Sequence, residues 1–324
     1  MGAFDEDLRR FGPANLGYTP LMSQSQAEAY CRRLAATHYE NFPVLSCMLP
    51  RRLRQPFANL YAWCRWADDL ADEVGGDELS TELLAWRGEQ LAACYSGNAR
   101  HPVLIALQAT IRQFELPPQP FEDLISAFRQ DQRVHAYESF AQLEDYCRRS
   151  ANPVGRLVLR VCERNDPTLF GWSDSICTGL QLANFWQDVA RDAESGRVYL
   201  PREDRERFGY TDEALRTRLT NRAFIDLMQF QATRARDYLT AGLPLVEKMS
   251  GRMQIVMELF AQGGLRILDR IESIGYRVWD FRPVLTKRDV LLISGRCLKH
   301  AVRRSARLGQ GDLIRTAEGP KPSP

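Results

Sequence analysis

The stretch Gln181 to Asp192, QLANFWQDVARD, decides how this chain is read. At helical spacing Gln181, Asn184, Asp188 and Asp192 fall three, four and four residues apart, so one helix face carries two amides and two carboxylates. Leu182, Ala183, Phe185, Trp186, Val189 and Ala190 fill most other positions, with Gln187 and Arg191 at the edge of the polar stripe. A helix that is apolar nearly all round is buried nearly all round, and a buried carboxylate needs a partner. Upstream, DDLADE repeats the pattern. Asp68 stands one turn before Asp72, and Asp69 one turn before Asp72 and Glu73, inside a helix made apolar by Ala62, Trp63, Trp66, Ala67, Leu70 and Ala71. Like charges at this spacing cost an isolated helix a few tenths of a kcal/mol per pair. Arg65 alone cannot neutralise four acids, and two such helices imply a shared cation. Magnesium suits them, with manganese as its substitute, because it binds through one or two carboxylates, several waters and substrate phosphates. The alternative is a pair of buried ion networks built on Arg65 and Arg191.

Working outward, Gly and Pro punctuate a series of helical patterns. Residues 1 to 22, with Gly12, Pro13, Gly17 and Pro20, read as an irregular arm. A helix follows from Ser23 until Pro43, and the next runs through FANLYAWCRWADDLADE to Gly75-Gly76. Further helices are predicted over 78–95, 102–114, 121–132, 140–164 and 168–193. GRVYLPRED reads as a non-helical connection, followed by a short helix from Asp212. Long helices over 223–241 and 243–274, the second bent near Gly263-Gly264, precede a last helix from Thr286 to about Leu308. No run alternates apolar and polar residues, so no sheet is expected. The prediction is a single-domain, all-α bundle around a central cavity, spanning 23–308, with a disordered polar tail over 309–324.

Composition narrows the partners. Forty-three basic and 41 acidic residues give a net charge of +2, which provides no field for nucleic acid. Eight cysteines are scattered singly, as reduced thiols of a cytoplasmic protein would be. The start, MGAFDEDLRR, is not a signal peptide, and no apolar run is long enough to span a bilayer. Peripheral contact with a membrane surface is compatible with these features, but no segment shows the basic amphipathic pattern strongly.

YAWCRWADDLADE, DYCRRSANPVG, QLANFWQDVARD and GRVYLP, in this order, resemble the squalene and phytoene synthase family of head-to-head prenyltransferases over roughly residues 30 to 290. HYENFPVLSCMLP (38–50), SANPVG (150–155) and FWQDV resemble its bacterial hydroxysqualene synthase branch, which serves hopanoid biosynthesis. The resemblance implies an isoprenoid-synthase fold with magnesium at the cavity mouth, held by Asp68, Asp69, Asp72 and Glu73 on one side and Asn184, Asp188 and Asp192 on the other. It also implies diphosphate contacts from His38, Arg65 and Arg282, a pocket role for Tyr146, and Gln181 as the residue opening the second motif. Tyr199 and Trp186 read as packing.

Three departures from the family pattern stand out. Gln187 replaces an arginine, Asn152 replaces the first glycine of an A-G-x-V-G run, and the late Arg-x-Tyr element is changed around Gln262 and Gly264. Each adds polarity or space. Together they favour a one-substrate reaction, in which presqualene diphosphate ionises, rearranges and is trapped by water without a nicotinamide cofactor. Condensation of two prenyl diphosphates by a presqualene diphosphate, squalene or phytoene synthase is the alternative, and a non-catalytic binding relative a remote one. Neighbouring squalene-pathway enzymes are the expected protein partners.

Overall fold

The computed structural model describes residues 3–38, 48–74 and 76–300, and not the side chain of His38. Among them the elements are helical: α1 (Ala3–Phe11), α2 (Gln24–His38), α3 (Arg51–Asp72), α4 (Asp77–Tyr95), α5 (Pro102–Phe114), α6 (Gln119–Asp131), α7 (Phe140–Ser150), α8 (Asn152–Val161), α9 (Pro167–Glu194), α10 (Arg202–Arg207), α11 (Asp212–Arg216), α12 (Arg222–Gly242), α13 (Pro244–Lys248), α14 (Gly251–Ser273) and α15 (287–300). The only β-type pairing is an isolated parallel bridge between Ala136 and Val198, so the all-α expectation holds for the described residues.

The two acidic helices are the two centres of packing. α3 is surrounded by α2, α4, α5, α6 and α8, and α9 by α7, α8, α12, α13 and α14. α8 touches both and joins the halves. Trp63, Trp66 and Trp186 are fully buried, as a helix apolar on nearly all sides requires. Close approach of α9 to its neighbours depends on glycine. A Cβ on Gly179 would lie 2.8 Å from the backbone nitrogen of Leu239 on α12, and one on Gly264 of α14 would lie 2.7 Å from Leu180.

Several sequence expectations are corrected. The N-terminal arm is not irregular from its start, because Phe4, Leu8 and Phe11 share one face of α1 and dock it. Phe4 meets Trp66 edge-on at 5.0 Å, while the Tyr30 hydroxyl donates to Asp7 and accepts from Trp66 Nε1. The helix predicted over 140–164 is two, because Pro153 has no N–H to continue the first and instead starts α8. The second of the long C-terminal helices breaks at Met249-Ser250, where Met249 is extended, and its longer part continues without interruption past Gly263-Gly264. The connection after α9 contains a short helix, α10, led by Pro201. The predicted tail, 309–324, lies outside the described residues.

Gly179→Val therefore forces a side chain into backbone, and unfolding in urea is expected to show a loss of about 2–3 kcal/mol. An unchanged midpoint would contradict the close packing of α9 on α12.

Candidate active site

One stripe of α9 lines two cavities in succession. Leu180, Ala183, Asn184 and Gln187 face a mostly apolar cavity of about 590 Å³, lined on its other sides by Phe260, Gly263 and Ile267 of α14 and by Val284, Leu285 and Ile293, and open to the surface at Val284. One turn further on, Asp188, Arg191 and Asp192 face a polar cavity of about 480 Å³, whose far wall holds Asp72 of α3, Asp131 of α6 and Arg197. The two acidic motifs thus meet across one space, at Asp72 on one side and Asp188 with Asp192 on the other.

A single ion pair stands at the seam between the cavities. Arg282, which lines the apolar one, donates Nε and Nη2 to the two oxygens of Asp188, which lines the polar one, at 2.5 and 3.2 Å. Its segment is held by the neighbouring side chain, because Gln187 Nε2 donates to the Pro283 carbonyl at 2.7 Å. Gln187 is therefore an anchor as well as a polar wall group. Asn184 is exposed to the apolar cavity, and Gln181, half-buried, sits one turn before it.

The first motif divides. Asp72 lines the polar cavity and accepts from Arg197 at 3.0 Å, and Asp68 lies close enough behind it to feel the charges of Asp72 and Arg197. Asp69 and Glu73 turn the other way, to Arg65, at 2.5 and 2.9 Å. Arg65 also reaches Asp68 at 3.3 Å, so it links both sides of α3. Burial pushes the Asp68 carboxyl up to about 6, helped by the Asp72 charge, and that of Asp192 up to about 7, helped by Asp188. Asp192 Oδ2 is buried without a hydrogen-bond partner. Among the described residues no three acids already converge as a closed metal cage. All-oxygen donors contributed in ones and twos from facing helices suit a hard cation that keeps its waters.

Tyr146 is buried, and its hydroxyl donates to Asp131 Oδ2 at 2.7 Å. Around it Phe185 and Tyr199 stack at 3.8 Å, and Tyr137 lies 5.9 Å from Tyr199. The Ala136–Val198 bridge aligns these tyrosines, with Val198 N donating to the His135 carbonyl. Tyr199, stacked on Phe185, and fully buried Trp186 are packing residues, as expected, with the Tyr199 hydroxyl close enough to Asp131 and Arg197 to feel their charges.

Asp131 and Arg197 escaped the sequence reading. Asp131 lies in the polar stretch QDQR, and nothing local marks it as buried. Arg197 stood within GRVYLP but had no partner until the fold supplied Asp72. Two departures also take other roles. Asn152 is buried between helices and accepts from Thr178 Oγ1 at 3.0 Å, so its polarity is spent on joining α8 to α9. Gly264 both lines the apolar cavity, with Gly263, and gives close packing of α14 on α9. His38 ends α2, and its side chain is outside the described residues.

A groove of about 840 Å³ between α4 and α6 is larger than either cavity. It holds none of these acids or aromatic rings and is not the site.

Two acidic helices facing across a divided cavity, in an all-helical shell, are the architecture of an isoprenoid synthase. The family model for squalene/phytoene synthase matches residues 35–289, and the chain belongs to that family. It is 32% identical over 300 residues to a hydroxysqualene synthase from Rhodopseudomonas palustris, covering 88% of this chain and 97% of that one. It is 31% identical over 273 residues to a phytoene synthase from Arthrospira platensis, covering 80% and 88%. A solved structure described as squalene synthase HpnC from Alicyclobacillus acidocaldarius superposes with a TM-score of 0.75 at 40% identity, over 81% of this chain and 98% of that one.

Burial pushes the Asp131 carboxyl up to about 7, against the Tyr146 hydrogen bond, which favours its charge. A raised carboxyl favours the folded state below pH 4, and that contribution is lost as pH rises through 7. Asp131→Asn is thus expected to stabilise the cation-free protein at pH 8 by on the order of 2 kcal/mol, the gain vanishing toward pH 4. Thermal melts at both pH values check this, and a gain equal at both would contradict the buried charge.

Proposed function

We propose that the protein converts presqualene diphosphate and water to hydroxysqualene and diphosphate. The observation that carries the reading is the pair of cavities along one face of α9, polar beside Asp188 and apolar beside Leu180, which matches a ligand with an anionic head and a long hydrocarbon body. The position of Gln187 and Asn184 at the apolar cavity favours water capture, because these amides can hold a water molecule inside otherwise dry walls.

Magnesium, held by Asp68 and Asp72 on α3 and by Asp188, Asp192 and Asn184 on α9, would supply positive charge to the departing diphosphate. Asp69 and Glu73 support this set through Arg65 rather than facing the polar cavity. Arg282 and Arg197 meet the same anion, leaving the carboxylates they pair with in its absence. The C–O bond to diphosphate breaks, and the cation left in the apolar cavity rearranges. Phe260, the aromatic ring in the wall of the apolar cavity, offers a negative face to it, while Phe185 and Tyr199 stack on the other side of α9, beside Asp192 and Arg197. Tyr146, fixed by Asp131, orients the diphosphate end. The water positioned by Gln187 or Asn184 adds to the cation, and its proton leaves with the diphosphate.

A second reading, condensation of two prenyl diphosphates, draws support from the equal similarity to phytoene synthases. A substrate panel separates the two. Purified protein with presqualene diphosphate and Mg²⁺, and no NADPH, is expected to yield hydroxysqualene. Unchanged presqualene diphosphate, with products from farnesyl or geranylgeranyl diphosphate alone, would establish the second reading instead. Asp188→Asn is expected to lower turnover at least about a hundredfold. Gln187→Arg, which replaces the water-holding amide with a cation that can still donate to Pro283, is expected to lower hydroxysqualene output about tenfold or redirect it. An unchanged product profile would remove Gln187 from the mechanism.

A further inference from the structure

Among the described residues, exposed apolar side chains concentrate on the last helix and the segment that leads into it. Half of the exposed large apolar side chains among the described residues fall between positions 281 and 298. Along α15, Asp289, Ile293 and Cys297 recur one turn apart and are buried, which fixes the inward face. Leu291, 73% exposed, and Leu298, 57% exposed, lie two turns apart on the opposite side with Leu292 beside them. Lys287, Arg288, Arg296 and Lys299 flank them and are also exposed.

The charge on this face has one sign. Asp289 is the only acid between residues 281 and 300, and it is taken inward by Arg266, Arg270 and the Thr286 hydroxyl and N–H. The sequence beyond adds Arg303, Arg304 and Arg307. No helix among the described residues is long and apolar enough to cross a membrane, so this is a surface that lies on something rather than through it. Leucines set among long basic side chains, with no acid, complement the boundary between anionic headgroups and acyl chains. The patch is also continuous with the apolar cavity, since Val284 and Val290 are exposed and line that cavity as well.

We infer that the outward face of α15 docks the protein on an anionic lipid bilayer, with Leu291, Leu292 and Leu298 at the acyl boundary and the basic residues among the headgroups. Docking there opens the apolar cavity beside the lipid, so that a water-insoluble chain enters or leaves without crossing water. This last consequence rests on the proposed function. The docking itself rests on exposure and charge.

The test is flotation of the full-length protein, without substrate, on vesicles of phosphatidylglycerol and phosphatidylcholine and on vesicles of phosphatidylcholine alone. Binding to the anionic vesicles is expected, weakened by salt. Leu291→Glu with Leu298→Glu, and separately Lys287→Gln with Arg288→Gln and Lys299→Gln, are each expected to weaken it at least about tenfold, with thermal melts unchanged. Turnover of detergent-dispersed substrate is expected to stay at the wild-type level in both variants. Equal binding to both vesicle types, or to neither, would overturn the inference. A dimer in sedimentation that the leucine variant dissociates, with no vesicle binding, would assign the face to a second copy instead. Because binding is read without substrate, it stands or fails apart from the product assay.

Discussion

The bond between Arg282 and Asp188 is the constraint on which the rest of the site depends. It sits where a polar and an apolar cavity meet along α9, and it joins a carboxylate of the central helix to the segment that leads into α15. Without a counter-charge, Asp188 and Asp192 would stand one turn apart as unpaired acids beside a buried core, a costly arrangement. An anion that takes Arg282, together with a cation that takes Asp188, exchanges this internal pair for external ones. The same holds across the cavity, where Arg197 occupies Asp72. Neutralised acids and arginines are thus stored as two ion pairs, which under the proposed function would open toward a charged head and its cation.

This arrangement also assigns work to residues that make no such pair. Gln187 holds the Arg282 segment through Pro283, so its identity affects where the arginine rests as well as how polar the apolar cavity is. Arg65 spans Asp68, Asp69 and Glu73, keeping two of the four acids of α3 away from the cavity. Tyr146 is held by Asp131, and the Tyr137 and Tyr199 rings beside it follow the one β-type bridge among the described residues.

The helical shell was legible in the sequence because its two central helices are apolar on nearly every side, and only a helix spacing makes their acids coincide. Breaks were harder to place. Ala151 to Pro153 and Met249-Ser250 interrupt otherwise continuous patterns, and periodicity carries across them. α1 was obscured by the Gly and Pro residues that follow it, although Phe4, Leu8 and Phe11 already had helical spacing. At the site, sequence spacing brought Asp72, Asp188 and Asp192 to one face each, but it could not say that the faces meet, nor that Asp69 and Glu73 turn aside. Asp131 and Arg197 act through long-range contacts, and no local pattern encodes those. Likewise Asn152 looked like a change to the pocket until Thr178 showed it to be a device for joining helices, and Gly264, which does line the apolar cavity, also lets α14 approach α9. The basic leucine face of α15 emerged only when burial fixed which side of the helix looks inward.

The central claim is that α3 and α9 share one cation and diphosphate site whose arginines are released on binding. Crystals grown with Mn²⁺ and inorganic diphosphate test it most directly, through anomalous scattering from the metal. Manganese peaks are expected between Asp68 or Asp72 and Asp188 or Asp192, with Arg282 moved from Asp188 onto the diphosphate. Metal bound elsewhere, or an Arg282–Asp188 pair left intact beside bound diphosphate, would contradict it.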